Sequence, residues 1–224
     1  MSDHVELGAP SSRAPESAFE LAELFARVEQ SLARVVNSAR WSVLTWAVPR
    51  VASERLLNAE SEGEALLWAA PGEGEMCALG AAFTLTASGN DRFQAIQQRA
   101  REVWPLLDAS AADRNAPEPC FFGGFAFQAG RAASALWQDF GDARFVLPRL
   151  SYLKTQQGAW LRLIAPNAEL SSPERRAALN DQLRRASYAL FAPNGASQVS
   201  SARVVARDER SPESWATLLA DIQA

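Results

Sequence analysis

The sequence predicts an α+β fold, a largely antiparallel sheet covered by helices. Three observations predict it. Short runs rich in aromatic, leucine and β-branched residues are bounded by Pro and Gly, as strands are. Longer stretches carry apolar residues at helical spacing. The two kinds of segment are mixed without strict strand-helix-strand alternation, which argues against a parallel doubly wound sheet. Hydrophobic residues make up 48% of the 224 residues, ample for one large core.

Residues 1 to 16 contain Gly8, Pro10, Ser11, Ser12 and Pro15 and read as a disordered tail. The folded part is expected over 17–224. Ser17 is placed to cap a helix whose stripe is Leu21, Leu24, Phe25, Val28, Leu32, Val35 and Val36, ending near Asn37. Trp41 to Val48 reads as a strand stopped by Pro49, and Ser53 to Ala59 as a short helix. Two more strands follow, Ala65 to Ala69 before Pro71-Gly72, and Met76 to Thr86 before Ser88-Gly89-Asn90. A helix from Asp91 to about Leu107 puts Phe93, Ile96, Ala100, Val103, Trp104 and Leu107 on one side, with Pro105 in its last turn.

Asp108 to Pro119 is polar and reads as an exposed loop. Cys120 to Phe127 is an aromatic strand with a glycine pair in its middle, and Gly130 to Ser134 a small-residue loop. Ala143 to Thr155 and Ala159 to Ala165 form two strands joined through Gln156-Gln157-Gly158. Ser171-Ser172-Pro173-Glu174 is a helix start: a capping Ser, Pro in the first turn and an early acid. Its apolar face continues through Leu179, Leu183, Ala186, Leu190 and Phe191. Ser200 to Val205 reads as a further strand. Ser211-Pro212-Glu213 starts a last helix with Trp215, Leu218, Leu219 and Ile222. Roughly four long helices are expected over one face of the sheet.

Several chemistries are disfavoured by the rare residues. The sole histidine, His4, lies in the polar tail, so a Ser-His-Asp triad, a Cys-His pair and a His-based zinc site have no candidate. Cys77 and Cys120 form no CxxC motif and are expected to be small buried residues. Lys154 is the sole lysine and lies outside any phosphate-loop motif. A net charge of −4 gives no reason to expect nucleic acid. No apolar run is long enough for a membrane span, and the N-terminus lacks the apolar stretch of a secretory signal. The cytoplasm is the expected location.

The most informative stretch is Phe121 to Leu150. It contains Phe122-Gly123-Gly124-Phe125-Ala126-Phe127, then Trp137-Gln138-Asp139-Phe140, then Ala143-Arg144-Phe145-Val146-Leu147-Pro148-Arg149-Leu150. From the residues alone these are core pieces. A glycine pair inside a strand marks a bulge or a close backbone approach, and the flanking aromatics pack on neighbouring strands. The order of the three motifs resembles the chorismate-utilising enzymes, isochorismate synthases in particular, from about residue 40 to the end. The relatives making anthranilate and aminodeoxychorismate are similar. The resemblance implies the N-terminal half of that family's fold, and a magnesium-dependent isomerisation of chorismate serving menaquinone or siderophore synthesis. Water adds at C2 and the C4 hydroxyl leaves. A lysine activates the water, a glutamate protonates the leaving group, and further glutamates hold the metal.

In the family, that lysine follows the helix resembling Trp215 to Ile222. No catalytic, cofactor-binding or metal-binding role is therefore assigned to any residue here. Magnesium and chorismate are expected of the intact family, magnesium is not expected to bind this chain, and a C-terminal partner segment is expected to complete the enzyme. Alone, the chain is expected to be inactive and to expose apolar surface. The alternative is a non-catalytic relative that acts as a binding or scaffold module. Other candidate groups have plainer roles. Gly123-Gly124 lacks the spacing of a phosphate cradle, Arg144 and Arg149 are expected to be solvated or paired with acids, and Lys154 is expected at a solvated edge. The seven tryptophans suit core packing, and Glu60, Glu62, Glu64, Glu73 and Glu75 suit a solvated turn.

Overall fold

The computed structural model describes residues 20–35, 40–59, 64–70, 74–130 and 140–192. Its strands are β1 (Trp41–Ala47), β2 (Ala65–Ala70), β3 (Gly74–Ala87), β4 (Leu107–Asp108), β5 (Phe122–Phe125), β6 (Ala143–Lys154) and β7 (Ala159–Pro166). Its α-helices are α1 (Leu21–Ala33), α2 (Arg92–Val103), α3 (Asn167–Ser171) and α4 (Pro173–Phe191), with 3-10 turns at Ser53–Ala59 and Trp104–Leu106. The sheet runs β2-β3-β6-β7-β1-β4, with β5 also paired to β6. Every pairing is antiparallel except the short parallel contact of β1 with β4. The α+β prediction therefore holds.

Burial follows the alternation that a pleated strand imposes. One face carries Leu44, Trp46, Cys77, Leu79, Leu150, Tyr152, Leu161 and Leu163. Helix α1 presents Leu24, Val28 and Leu32 to it, and α4 presents Leu179, Leu183, Ala186 and Leu190. The two helices are tied to each other by Glu29, which accepts from Arg184 (2.8 Å) and Asn180 (3.2 Å), while the Arg184 guanidinium lies over the Phe25 ring. Ser172 caps α4 by accepting from the Arg175 N–H, as its Ser-Pro-Glu start predicts. The expected cap Ser17 lies outside the described residues, as do the elements expected at 200–205 and 211–222.

The other face differs from expectation. Four helices were anticipated on one side, but Ile96 and Val103 of α2 pack with Val43, Leu85, Leu147 and Ile164 on the side away from α1 and α4. Periodicity identifies an amphipathic helix without saying which sheet face receives it. Helix α2 also ends earlier than Leu107, because Pro105 cannot continue the ladder. The chain tightens to 3-10 at Trp104 and then becomes β4. Phe93 and Trp104, expected on the buried stripe, are exposed. Each instead stacks on an aromatic of the glycine-pair segment, Phe93 on Phe125 at 4.3 Å and Trp104 on Phe121 at 5.4 Å. Trp46 and Trp160 are buried as expected, while Trp68 is exposed; Trp137 and Trp215 are outside the described residues.

This second face is divided. Met76, Ala78, Leu153 and Trp160 form a cluster separate from that around Ile164. Between them runs a polar row across adjacent strands, Thr45 of β1, Arg162 of β7 and Ser151 of β6, registered side by side and all buried. A loop without strand or helix, residues 109–121, lies over this region: the Pro117 carbonyl accepts from Arg162, and the Asp113 carboxylate accepts from Trp160 Nε1 at 3.2 Å. Cys77 is buried as expected, its thiol pushed up to about 11 by burial, but Cys120 is exposed at the end of that loop.

Leu161 is fully buried beneath the helices, so Leu161→Ala should cost about 2–5 kcal/mol through lost burial and a residual cavity. Urea denaturation should show a lower midpoint with an unchanged slope.

Candidate functional site

Two of the three motifs lie side by side, while Trp137 to Asp139 of the third are outside the described residues. β5 pairs with β6 in the register Phe122↔Val146, Gly123↔Phe145, Gly124↔Arg144 and Phe125↔Ala143. The glycine-pair strand and the Ala-Arg-Phe-Val-Leu-Pro-Arg strand are thus hydrogen-bonded neighbours. Gly123 has a steric reason: a Cβ there would fall 2.0 Å from the Arg144 carbonyl oxygen and 2.6 Å from Phe145 Cα. Any side chain would force the two strands apart. Gly124 is different, since a Cβ would meet only Phe140 Cζ at 3.6 Å, an ordinary contact. The pair is a close backbone approach, as the sequence suggested, and Gly123 is the member that requires it.

A cavity of about 220 Å³ opens beside these strands, lined by Leu66, Ala78, Phe122, Pro148 and the Arg144–Glu64 ion pair. That pair closes at 2.5 Å. Arg149 points to the opposite face, where it meets Glu169 at 2.6 Å in a groove of about 730 Å³ between α4 and the β3–β6 pair. Lys154 sits at the far end of β6, half-buried, held by Glu75 at 2.7 Å. The Glu75 carboxylate also accepts from Ser53, and both contacts hold it below the usual carboxylate range. Arg144, Arg149 and Lys154 are therefore each engaged by a carboxylate and do not come together. Glu64 and Glu75 of the acidic group serve in these pairs, while Glu60, Glu62 and Glu73 lie outside the described residues.

Sequence reasoning missed the knot that holds the motif strands in place. The Asp142 carboxylate accepts from the N–H groups of Gly89 and Gly130, each at 2.8 Å. These bonds hold its pKa low, with the Arg92 charge adding to them. Arg92, buried at the start of α2, donates to the carbonyls of Gly89 (3.1 Å) and Ala126 (3.2 Å). The Ala126 N–H donates in turn to the Asp142 carbonyl at 2.7 Å. The turn after β3, the exit of β5 and the entry to β6 are thereby joined. The usable signal was a charged residue beside a glycine turn, Asp142 after Gly141 and Arg92 after Gly89-Asn90, but each partner is remote in sequence.

Among the described residues no group of three or more His, Cys, Asp or Glu side chains could hold a metal ion. The described carboxylates near the motif strands are paired singly with cations or backbone donors. They do not fit the magnesium site implied by the resemblance, and no step can be built through the metal on them. Among the described residues no helix is long and apolar enough to cross a membrane.

A layered α+β unit in which a glycine-pair strand is clamped to the Ala-Arg-Phe strand is thus the scaffold around which a chorismate-family site would be sought. The model of the chorismate binding enzyme family matches residues 27–224, so the chain belongs to the chorismate-binding enzyme family. It is similar to the solved structure of MenF, the menaquinone-specific isochorismate synthase from Escherichia coli, at 15% identity and a TM-score of 0.46. The match covers 73% of this chain and 33% of that one, so the chain spans about a third of that enzyme's length. No curated protein matches the chain.

Two outcomes test the site. Gly123→Ala should destabilise the protein strongly or prevent folding, whereas Gly124→Ala should stay within about 1 kcal/mol of the parent on thermal unfolding. The pH test follows from Asp142, whose pKa is lower folded than unfolded. Its stabilisation is complete above its unfolded value of about 4 and is lost as pH falls through the lower folded value. Asp142→Asn should be less stable at pH 7, and the gap to the parent should narrow in urea titrations as the pH is taken below about 4.

Proposed function

We propose that this chain is the scaffold portion of an isochorismate synthase-type enzyme, catalysing magnesium-dependent conversion of chorismate to isochorismate once completed by further sequence. The observation that carries the proposal is the direct pairing of the Phe122-Gly123-Gly124-Phe125 strand with the Ala143 to Leu150 strand, inside a family match that spans 27–224. These are the motifs on which the resemblance to isochorismate synthases rests. In this reading the residues of the pairing position the fold, and the base, the acid and the magnesium ligands come from a C-terminal segment. The product would feed menaquinone or a catecholate siderophore, in the cytoplasm. Making anthranilate or aminodeoxychorismate remains the competing reading within the same family, because the scaffold motifs do not distinguish those reactions.

The test is a chromatographic assay of chorismate consumption, with and without magnesium and with and without ammonia. It is run on the chain alone and on the chain co-expressed with the coding sequence downstream of codon 224. Isochorismate should form only in the co-expressed sample with magnesium present. Anthranilate or aminodeoxychorismate appearing with ammonia would shift the assignment to the relatives. Isochorismate formed by residues 1–224 alone would sink the scaffold reading.

A further inference from the structure

The polar row across the second face of the sheet leaves a charge unbalanced. Arg162 is 4% exposed, yet among the described residues it has no carboxylate partner. Among the same residues its one hydrogen-bond acceptor is the Pro117 carbonyl, and its Nε has no partner. Thr45, directly opposite on β1, is also buried, and its hydroxyl has no partner among the described residues. Ser151, opposite on β6, completes the row. Among the described residues the titratable neighbour that acts on Arg162 electrostatically is the Cys120 thiol, and burial draws the guanidinium pKa down to about 10. A buried cation without a counter-charge is costly, and such groups are ordinarily paired. The flanking clusters around Ile164 and Trp160 are apolar and supply no counter-charge.

A groove of about 760 Å³ runs along the covering loop, walled by Asp113, Arg114, Pro117, Gln157 and Trp160; Arg162 and Thr45 do not line it, but lie buried next to it. Pro117 lines this groove and also supplies the carbonyl that Arg162 holds. A group with a better acceptor could replace that carbonyl by a small displacement of a loop that carries no strand or helix.

We propose that Arg162 and Thr45, reached through the groove beneath the 109–121 loop, form a binding site for a small monocarboxylate with a planar ring. The carboxylate would take the guanidinium fork and the Thr45 hydroxyl, satisfying both unpaired groups at once. The ring would lie in the groove against Trp160 and Pro117. One buried cation selects a monoanion. A phosphate would bring more negative charge than that one cation balances, and Asp113 and Arg114 in the groove wall offset each other. The site lies apart from the pairing of β5 with β6 and does not depend on the isochorismate reading.

Benzoate is the probe, with benzyl alcohol as the uncharged control and sodium chloride at matched ionic strength. The 224-residue chain is followed by thermal unfolding and by titration calorimetry. Saturating benzoate should bind one to one and raise the melting temperature by about 3 °C. Arg162→Met should lower benzoate affinity at least about tenfold, and Thr45→Val about threefold. Thr45→Val keeps the test available if Arg162→Met fails to fold. An absent saturable response in the parent, an equal response to benzyl alcohol, or unweakened affinity in either folded variant would overturn the site.

Discussion

Strand β6 must satisfy three neighbours, and the rest of the structure follows from how it does so. Along one edge it pairs with β3 over its whole length, from Ala143 to Lys154. The opposite edge is shared, with β5 taking Ala143 to Val146 and β7 taking Leu150 to Lys154. Leu147 to Arg149 is the fork between them. Pro148 lies there, opposite Ala81, where β3 shifts register between Ala81 and Phe83. A proline that cannot donate to the ladder is tolerated at such an irregularity. Just before the shift, Gly80 of β3 has a φ of +64°, a conformation open to glycine.

This division explains why the diagnostic motifs lie where they do. For β5 to reach the β6 edge, its backbone must approach within a distance that no Cβ at position 123 allows. The aromatics around it then close the space that the glycines leave. Phe125 sits between Phe93 and Phe145, Phe122 meets Trp68, and Phe121 meets Trp104. The Asp142–Arg92 knot holds the ends of the same strands. Glycine pair, aromatics and buried ion thus answer one geometric demand, made at three separate places in the chain.

Much of this was legible in the sequence, and the failures have a common cause. Strands β1, β2, β3, β6 and β7 appear close to their expected bounds because Pro and Gly punctuate them locally. The Ser-Pro-Glu start of α4 is equally local. What was not legible depended on choices between equal local options. Helix α2 could cover either face, Phe93 and Trp104 could turn inward or toward other aromatics, and Cys120 could be buried or exposed. Arg144 and Arg149 were expected to be solvated or paired and Lys154 to sit at a solvated edge, but each meets a carboxylate, and Glu64, Glu169 and Glu75 are brought to them only by the tertiary fold. Arg162 carried no signal, since a lone arginine in an apolar strand reads like one at a solvated edge.

The steric demand at Gly123 concerns folding and says nothing about a reaction. That is why the motifs can place the chain in the chorismate-binding enzyme family while leaving its reaction open. Chemistry would have to be read from groups that the fold does not need. Within the described residues the ion pairs of Arg144, Arg149 and Lys154 hold elements together, and so does the Asp142–Arg92 knot. Among the described residues Arg162 and Thr45 stand apart: Arg162 holds the covering loop through the Pro117 carbonyl, but has no carboxylate partner, and the Thr45 hydroxyl has none of any kind. A buried charge that one carbonyl answers is costly to keep for folding alone, and replacing such a charge by apolar groups is often neutral or stabilising.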